Sequence, residues 1–138
     1  MIRFDTEPWR TVVCCAEAAY PKECCGALLG TQDGDVKRVK AALPMDNVSS
    51  EERTRRYELR PEDLLRAQRE AREQGFALLG IFHSHPDCDA HFSSTDQKNA
   101  CPWYSYVVLS IRAGKFDHAR CWLPRADQTS VHEEDLEW

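Results

Sequence analysis

An apolar run, Ala77-Leu78-Leu79-Gly80-Ile81-Phe82, leads straight into His83-Ser84-His85-Pro86. A run of this length and composition reads as a buried strand. Side chains alternate between the two faces of a strand, so His83 and His85 project together while Ser84 points the other way. Two imidazoles side by side at a strand end are half of a metal site. Ser93 and Asp96 follow after a loop, where a short helix would return a carboxylate to the same point. Two neutral imidazoles and one carboxylate suit zinc, and three protein ligands leave the fourth position for water. An isolated His-x-His arises often by chance and is commonly a surface or satisfied core feature. The specificity lies in the combination of strand end, Pro-led loop, Ser93 and Asp96.

At 138 residues the chain is one domain of common size. Amidohydrolase barrels also carry His-x-His at a strand end, but a barrel needs about 250 residues. A formal net charge of −5 argues against nucleic acid as the main partner. The acidic excess is partly local, in Glu133, Glu134, Asp135 and Glu137, which read as a solvated polar end spanning 125–138. Arg3, Asp5, Glu7 and Arg10 interrupt any leader-like apolar stretch, and no run reaches the length of a membrane span. The expectation is a cytoplasmic protein with reduced thiols and no membrane partner. The chain has seven Cys and no Cys-x-x-Cys pair, so a zinc ribbon is unsupported. Cys14, Cys15, Cys24, Cys25 and Cys121 lie in apolar surroundings and read as core thiols. Cys88 and Cys101 flank the metal segment; Cys88 is open between a plain loop residue and a further ligand or regulatory thiol.

In chain order, Asp5 or Thr6 caps a first helix with Pro8 in its opening turn. Trp9, Val12, Val13, Ala16 and Ala19 or Tyr20 form its apolar face, and Pro21 ends it. Glu23 enters the apolar run Cys24 to Leu29, an unusual place for a charge without a task or a partner. Asp33-Gly34 reads as a hairpin turn into a return strand Val36 to Leu43. Pro44 to Arg56 reads as a long polar loop of the kind that borders active sites, and Tyr57 and Leu59 mark a short strand. Pro61 opens a second helix that Gly75 closes, with Leu64, Ala67, Gln68 and Ala71 at helical spacing and Glu62–Arg66 and Arg69–Glu73 as surface pairs. Ser94 or Thr95 caps a short helix carrying Asp96 and Ala100. A hairpin follows, Tyr104 to Ile111 and Phe116 to Leu123 about Ala113-Gly114, with a last edge strand near 129–132. Trp103, Tyr104, Tyr106 and Trp122 supply apolar bulk. The sum is a single α/β (α+β) domain over 1–138, with a helix on each side of a mixed sheet.

A Glu, then His-Ser-His-Pro, then Ser-x-x-Asp resembles the pattern of the JAMM/MPN+ (JAB) zinc metallopeptidases. Pro21-Lys22-Glu23-Cys24-Cys25-Gly26-Ala27-Leu28-Leu29-Gly30 resembles the family's first strand and the Glu before it. Ser105-Tyr106-Val107-Val108-Leu109-Ser110 resembles the strand after the metal helix. The likeness runs from about Pro21 to the acidic end. It implies a mixed, mostly antiparallel sheet flanked by helices, similar to cytidine deaminases. It implies that His83, His85 and Asp96 bind one zinc ion per chain and that Glu23 is the general acid/base for attack by zinc-bound water. Ser93 would stabilise the oxyanion. The most similar type is the compact, stand-alone prokaryotic one. For that type the resemblance implies hydrolysis of a peptide or isopeptide bond at the Gly-Gly tail of a ubiquitin-like or sulfur-carrier protein. His91 has no counterpart in the family and is read as exposed. Phe92 stands where many relatives carry Pro, which bears on the substrate path; Asn47 occupies a position where the family often has Asn.

Two other function classes compete. A non-catalytic MPN scaffold would lack ligands, yet every expected ligand is present. A zinc deaminase would carry His-x-Glu and Pro-Cys-x-x-Cys; here His85 replaces the Glu, and Cys101-Pro102 runs in the opposite order.

Overall fold

The computed structural model describes residues 1–46, 60–127 and 129–138. The expected strand at Tyr57 and Leu59, Asn47, and all of the 44–56 loop beyond Asp46 lie outside them. The elements are β1 (Ile2–Phe4), α1 (Thr6–Ala19), β2 (Cys25–Asp33), β3 (Val36–Met45), α2 (Pro61–Glu73), β4 (Ala77–Pro86), α3 (Ser94–Asn99), β5 (Ser105–Arg112), β6 (Lys115–Pro124), β7 (Val131–Glu134) and β8 (Leu136–Glu137). The strand order is β7-β6-β5-β4-β2-β3-β1-β8. Pairings are antiparallel between β2 and β3, β2 and β4, β5 and β6, and β6 and β7. They are parallel between β4 and β5 and where β1 meets β3 and β8. The expected mixed, mostly antiparallel sheet with helices is what forms.

β7 and β8 stand at opposite ends of that order, yet only Asp135 separates them in the chain. The sheet therefore curls until its edges nearly meet, and the Asp135 carbonyl accepts a hydrogen bond from the Ile2 amide at 2.9 Å. The apolar stripe of α1 fills the curl. Val12 and Ala16 are buried among Ile2, Phe4, Leu28, Val39, Phe82, Val107 and Leu109, with Trp9, Val13 and Tyr20 packed around them. α2 covers the other face, where Ala67 and Ala71 meet Ala27, Leu29 and Met45. Leu28 faces one helix and its neighbours the other, as a period of two requires.

Several expectations change. The acidic end is not a solvated tail. β7 and β8 continue both edges of the sheet, and the last residue, Trp138, stacks on Trp9 with ring centroids 4.4 Å apart. Glu134 accepts a 2.7 Å hydrogen bond from the Ser105 hydroxyl, and that hydroxyl accepts one of 2.7 Å from the buried Lys37 ammonium. Paired and hydrogen-bonded, these charges tolerate burial. Asp5 precedes α1 but makes no side-chain cap; its carboxylate is taken by Arg38 and Lys40. Arg60, not the helix-surface pairs expected of α2, holds an acid there: its guanidinium binds the Asp63 carboxylate at 3.0 Å. Gln68 is exposed on α2, Cys14 on α1, and Trp103 at the surface.

Close strand spacing around the metal segment depends on Gly80, which pairs with Ser105 across β4 and β5. A Cβ at position 80 would lie 2.1 Å from the Ser105 carbonyl oxygen, a backbone atom that no rotamer can move. Gly80→Ala is expected to cost about 3 kcal/mol, read as a lower denaturant midpoint at unchanged slope. A cost below about 1 kcal/mol would show that the two strands part readily.

Candidate metal centre

β4 runs through Pro86, four residues past the apolar run, so both histidines sit on the strand, His85 opposite Ser110 of β5. His83 lies opposite Cys25 on β2 and Val108 on β5, and both imidazoles are buried. Their Nε2 atoms are 3.2 Å apart. Asp96, on α3, brings Oδ2 to 3.4 Å from His83 Nε2 and 3.6 Å from His85 Nε2. For metal–ligand bonds of about 2.0–2.1 Å in tetrahedral array, ligand atoms stand about 3.3 Å from one another. The three donors have the spacing and the chemistry of a zinc site. Among the described residues, no Cys joins this group.

The tautomer is fixed from behind. His85 Nδ1 is 3.0 Å from the Asp89 carbonyl oxygen, which only accepts, so Nδ1 carries the proton and Nε2 presents its lone pair. Burial holds the His83 imidazole below its ordinary pKa, in the neutral form a metal needs. Burial works against ionisation of Asp96, but hydrogen bonds with His83, His85 and the Ser93 amide hold its carboxyl well below the usual carboxylate range.

The helix cap is Ser93, not Ser94 or Thr95. Ser93 Oγ accepts from the Asp96 amide at 3.0 Å, and Asp96 Oδ2 accepts from the Ser93 amide at 3.0 Å, a reciprocal capping box. The Asp96 carboxylate is thereby aimed by the start of its own helix. The Ser93 hydroxyl accepts in this box, so its hydrogen remains to be donated outward.

Glu23 arrives through strand register. Cys25 lies opposite His83. The Cys24 amide donates to Ser84 Oγ at 2.8 Å, and the Ser84 amide donates to the Cys24 carbonyl at 3.1 Å. One more antiparallel step puts Glu23 opposite His85. Burial pushes its carboxyl up to about 7, with His85 pulling it down and Asp96 adding to the rise.

The loop after β4 is held at each residue. Asp87, at φ 55, accepts from the Tyr20 hydroxyl at 2.6 Å. The Cys88 carbonyl accepts from Ser110 Oγ at 2.6 Å, and the Asp89 carboxylate pairs with Arg112. The Ala90 amide donates to His118 Nε2 at 3.1 Å, and the Ala90 carbonyl accepts from Trp122 Nε1 at 3.0 Å. Most of these supports carry no pattern in the sequence. A polar Ser110 inside the run Val107-Val108-Leu109-Ser110-Ile111 was the one legible signal. Cys88 and His91 are exposed. Phe92 is half-buried, 6.5 Å from the His83 ring and 5.3 Å from Tyr106 between centroids. It forms an apolar wall with Leu64, Ile81 and Trp122.

No helix among the described residues is long and apolar enough to cross a membrane. A solved protein from Desulfitobacterium hafniense superposes with a TM-score of 0.85 at 30% identity, covering 99% of this chain and 91% of that one. A JAB1/MPN domain protein from Archaeoglobus fulgidus superposes at 0.61 with 17% identity, covering 99% of this chain and 97% of that one, a likeness of fold alone. The desampylase of Haloferax volcanii is 40% identical over 91 residues, 65% of this chain and 63% of its own length. Prokaryotic homologs of the JAB domain match residues 8–123, a span holding every residue of the site just described, and the chain belongs to that family.

Proposed function

We propose that residues 1–138 act as one zinc-dependent peptidase domain that hydrolyses the bond at the C-terminal tail of a ubiquitin-like or sulfur-carrier protein. The observation that carries this reading is the convergence of His83 Nε2, His85 Nε2 and Asp96 Oδ2 within 3.2–3.6 Å of one another, with Glu23 in register beside them. When bound, zinc would polarise the scissile carbonyl and lower the pKa of a water toward about 7. Glu23, with a carboxyl near 7, is matched to take a proton from that water and return it to the leaving amine. Ser93 donates its hydroxyl hydrogen to the developing oxyanion. Phe92 and its apolar neighbours keep bulk water from the buried imidazoles. His83, His85 and Asp96 would hold the ion, one per chain.

The similarity to a protein named desampylase supports a small protein modifier as substrate. The chemistry at a tail peptide bond and at an isopeptide bond to Lys is the same, and we assign both linkages to this site. Seven free thiols fit a reducing, cytoplasmic setting.

Mass spectrometry of ubiquitin-like carriers extended past Gly-Gly, and of Lys-linked conjugates, tests this directly. Cleavage after the second Gly is expected, abolished by a chelator and restored by zinc. Intact substrates and metal-free purified protein would instead establish a binding scaffold.

A further inference from the structure

We propose that His118 is a positioning residue for the metal centre: through one peptide unit it holds the His85 ring in the tautomer and orientation that present Nε2 to the ion. The two histidines belong to one row across three strands. His85 pairs with Ser110 on β5, and Ser110 pairs with His118 on β6. Paired residues share a face of the sheet, so both rings stand on the same side. The Asp89–Ala90 peptide lies between them. A trans peptide carries its carbonyl and its amide hydrogen on opposite edges of one plane. On one edge the Ala90 amide donates to His118 Nε2 at 3.1 Å. On the other the Asp89 carbonyl accepts from His85 Nδ1 at 3.0 Å and from the exposed His91 Nδ1 at 3.1 Å. Fixing the plane at its amide fixes it at its carbonyl, and a peptide that donates becomes a better acceptor. The acceptor behind a ligating imidazole sets the ring's tautomer, angle and basicity.

His118 is itself held for this task. To accept from an amide, Nε2 must present its lone pair, which puts the ring hydrogen on Nδ1. Asp117 Oδ2 takes that hydrogen at 2.6 Å. Neighbours on a regular strand point to opposite faces, and Asp117 reaches its neighbour because β6 is irregular there. Ser110 pairs with His118 but Ile111 pairs with Phe116, which leaves Asp117 as the extra residue of a bulge. A bulge of this kind re-aims a side chain. Arg112 binds the Asp89 carboxylate and stands 3.8 Å from Asp117 Oδ2, so one guanidinium ties both ends of the relay. The Cys88 and Ala90 carbonyls take their hydrogens from Ser110 and Trp122, and these fix the loop to either side. The bond to His118 is made by the very peptide that faces His85.

The effect on zinc rests on the metal-dependent reading above; the hold on the His85 ring does not. The test uses the full chain labelled with heavy nitrogen, first stripped of metal and then titrated with zinc against a chromophoric chelator. Long-range proton–nitrogen spectra of the metal-free protein should show His85 and His118 each with its hydrogen on Nδ1, and slow solvent exchange of the Ala90 amide. His118→Phe keeps a ring and removes the acceptor. It should speed Ala90 exchange about tenfold, leave His85 in a mixture of tautomers, and weaken zinc binding about tenfold, the lower end of the range for groups behind a ligand. His118→Gln restores an acceptor oxygen and should return all three readings most of the way.

A purely structural role would lower the denaturant midpoint of both variants alike and leave the His85 tautomer and zinc affinity unchanged, which would overturn the proposal. Gln behaving as Phe does would overturn it too. Asp117 is exposed, so Asp117→Ala serves where His118→Phe does not fold. It frees the His118 hydrogen to move to Nε2 and should shift the His85 tautomer and weaken zinc in the same direction; no change in either would count against the proposal equally. If the unaltered protein binds no zinc, the metal-dependent reading fails by itself, and the tautomer and exchange of the metal-free chain alone decide whether His118 holds the His85 ring.

Discussion

Glu23→Gln is expected to lower kcat/KM by about 10³-fold or more, the range for loss of a positioned proton-transfer group, while the protein still binds one zinc. The same change should stabilise the metal-stripped protein at pH 8. Burial raises the Glu23 carboxyl from 4.5 to about 7, so the folded protein carries an ionised group in a place that disfavours charge. Below pH 4.5 folded and unfolded chains are both protonated and Glu23 imposes no penalty. Between 4.5 and about 7 the unfolded chain loses its proton first, and stability falls as pH rises. Above about 7 the penalty is complete, about 3 kcal/mol. Gln imitates the protonated acid at every pH. The variant should therefore gain about 3 kcal/mol at pH 8 and close to nothing at pH 4, read from denaturant midpoints at both pH values. Full turnover in the variant would remove Glu23 from the chemistry; equal stability at pH 8 would show that its carboxyl lies in water.

Local rules made much of this site legible. Alternation along β4 placed His83 and His85 on one face, and an acid entering the apolar run at Cys24 singled out Glu23. Both are short-range arguments, needing only a strand and its period. The position of Asp96 depends on a short helix whose cap, Ser93, lies one or two residues before the expected Ser94 or Thr95, because three candidate caps follow one another there. Reading Ser93 with Asp96 as a capping box would have found both the helix start and the aim of the carboxylate. What stayed hidden is long-range. Lys37, Ser105 and Glu134 come from three distant segments and meet only because the sheet curls. β1 and β8, at three and two residues, are too short to show any period and exist through pairing alone. Of the supports of the 87–90 loop, only Ser110 is signalled, by its place inside an apolar run; Tyr20, Arg112, His118 and Trp122 carry no pattern until the fold brings them beside the end of β4.

Asp96→Ala is expected to abolish tight zinc binding and turnover together. On the proposed zinc site the carboxylate would supply the negative ligand, and it closes the capping box on the Ser93 amide, so the variant would lose a ligand and part of a helix cap at once. Changing a group behind a ligand costs about 10–100-fold in metal affinity, and removing the ligand itself should exceed that range. Ser93→Ala separates the two contributions. It deletes the reciprocal bond to the Asp96 amide and the outward hydroxyl donor, but leaves all three ligand atoms. It should cost about 1 kcal/mol of stability, keep zinc affinity within about 100-fold, and lower kcat far more than it raises KM, because the donor acts on charge that exists only in the transition state. Zinc titration by competition with a chromophoric chelator measures both variants on one scale. If Asp96→Ala holds zinc as tightly as Ser93→Ala does, the third ligand lies elsewhere, and the carboxylate of α3 does no more than begin its helix.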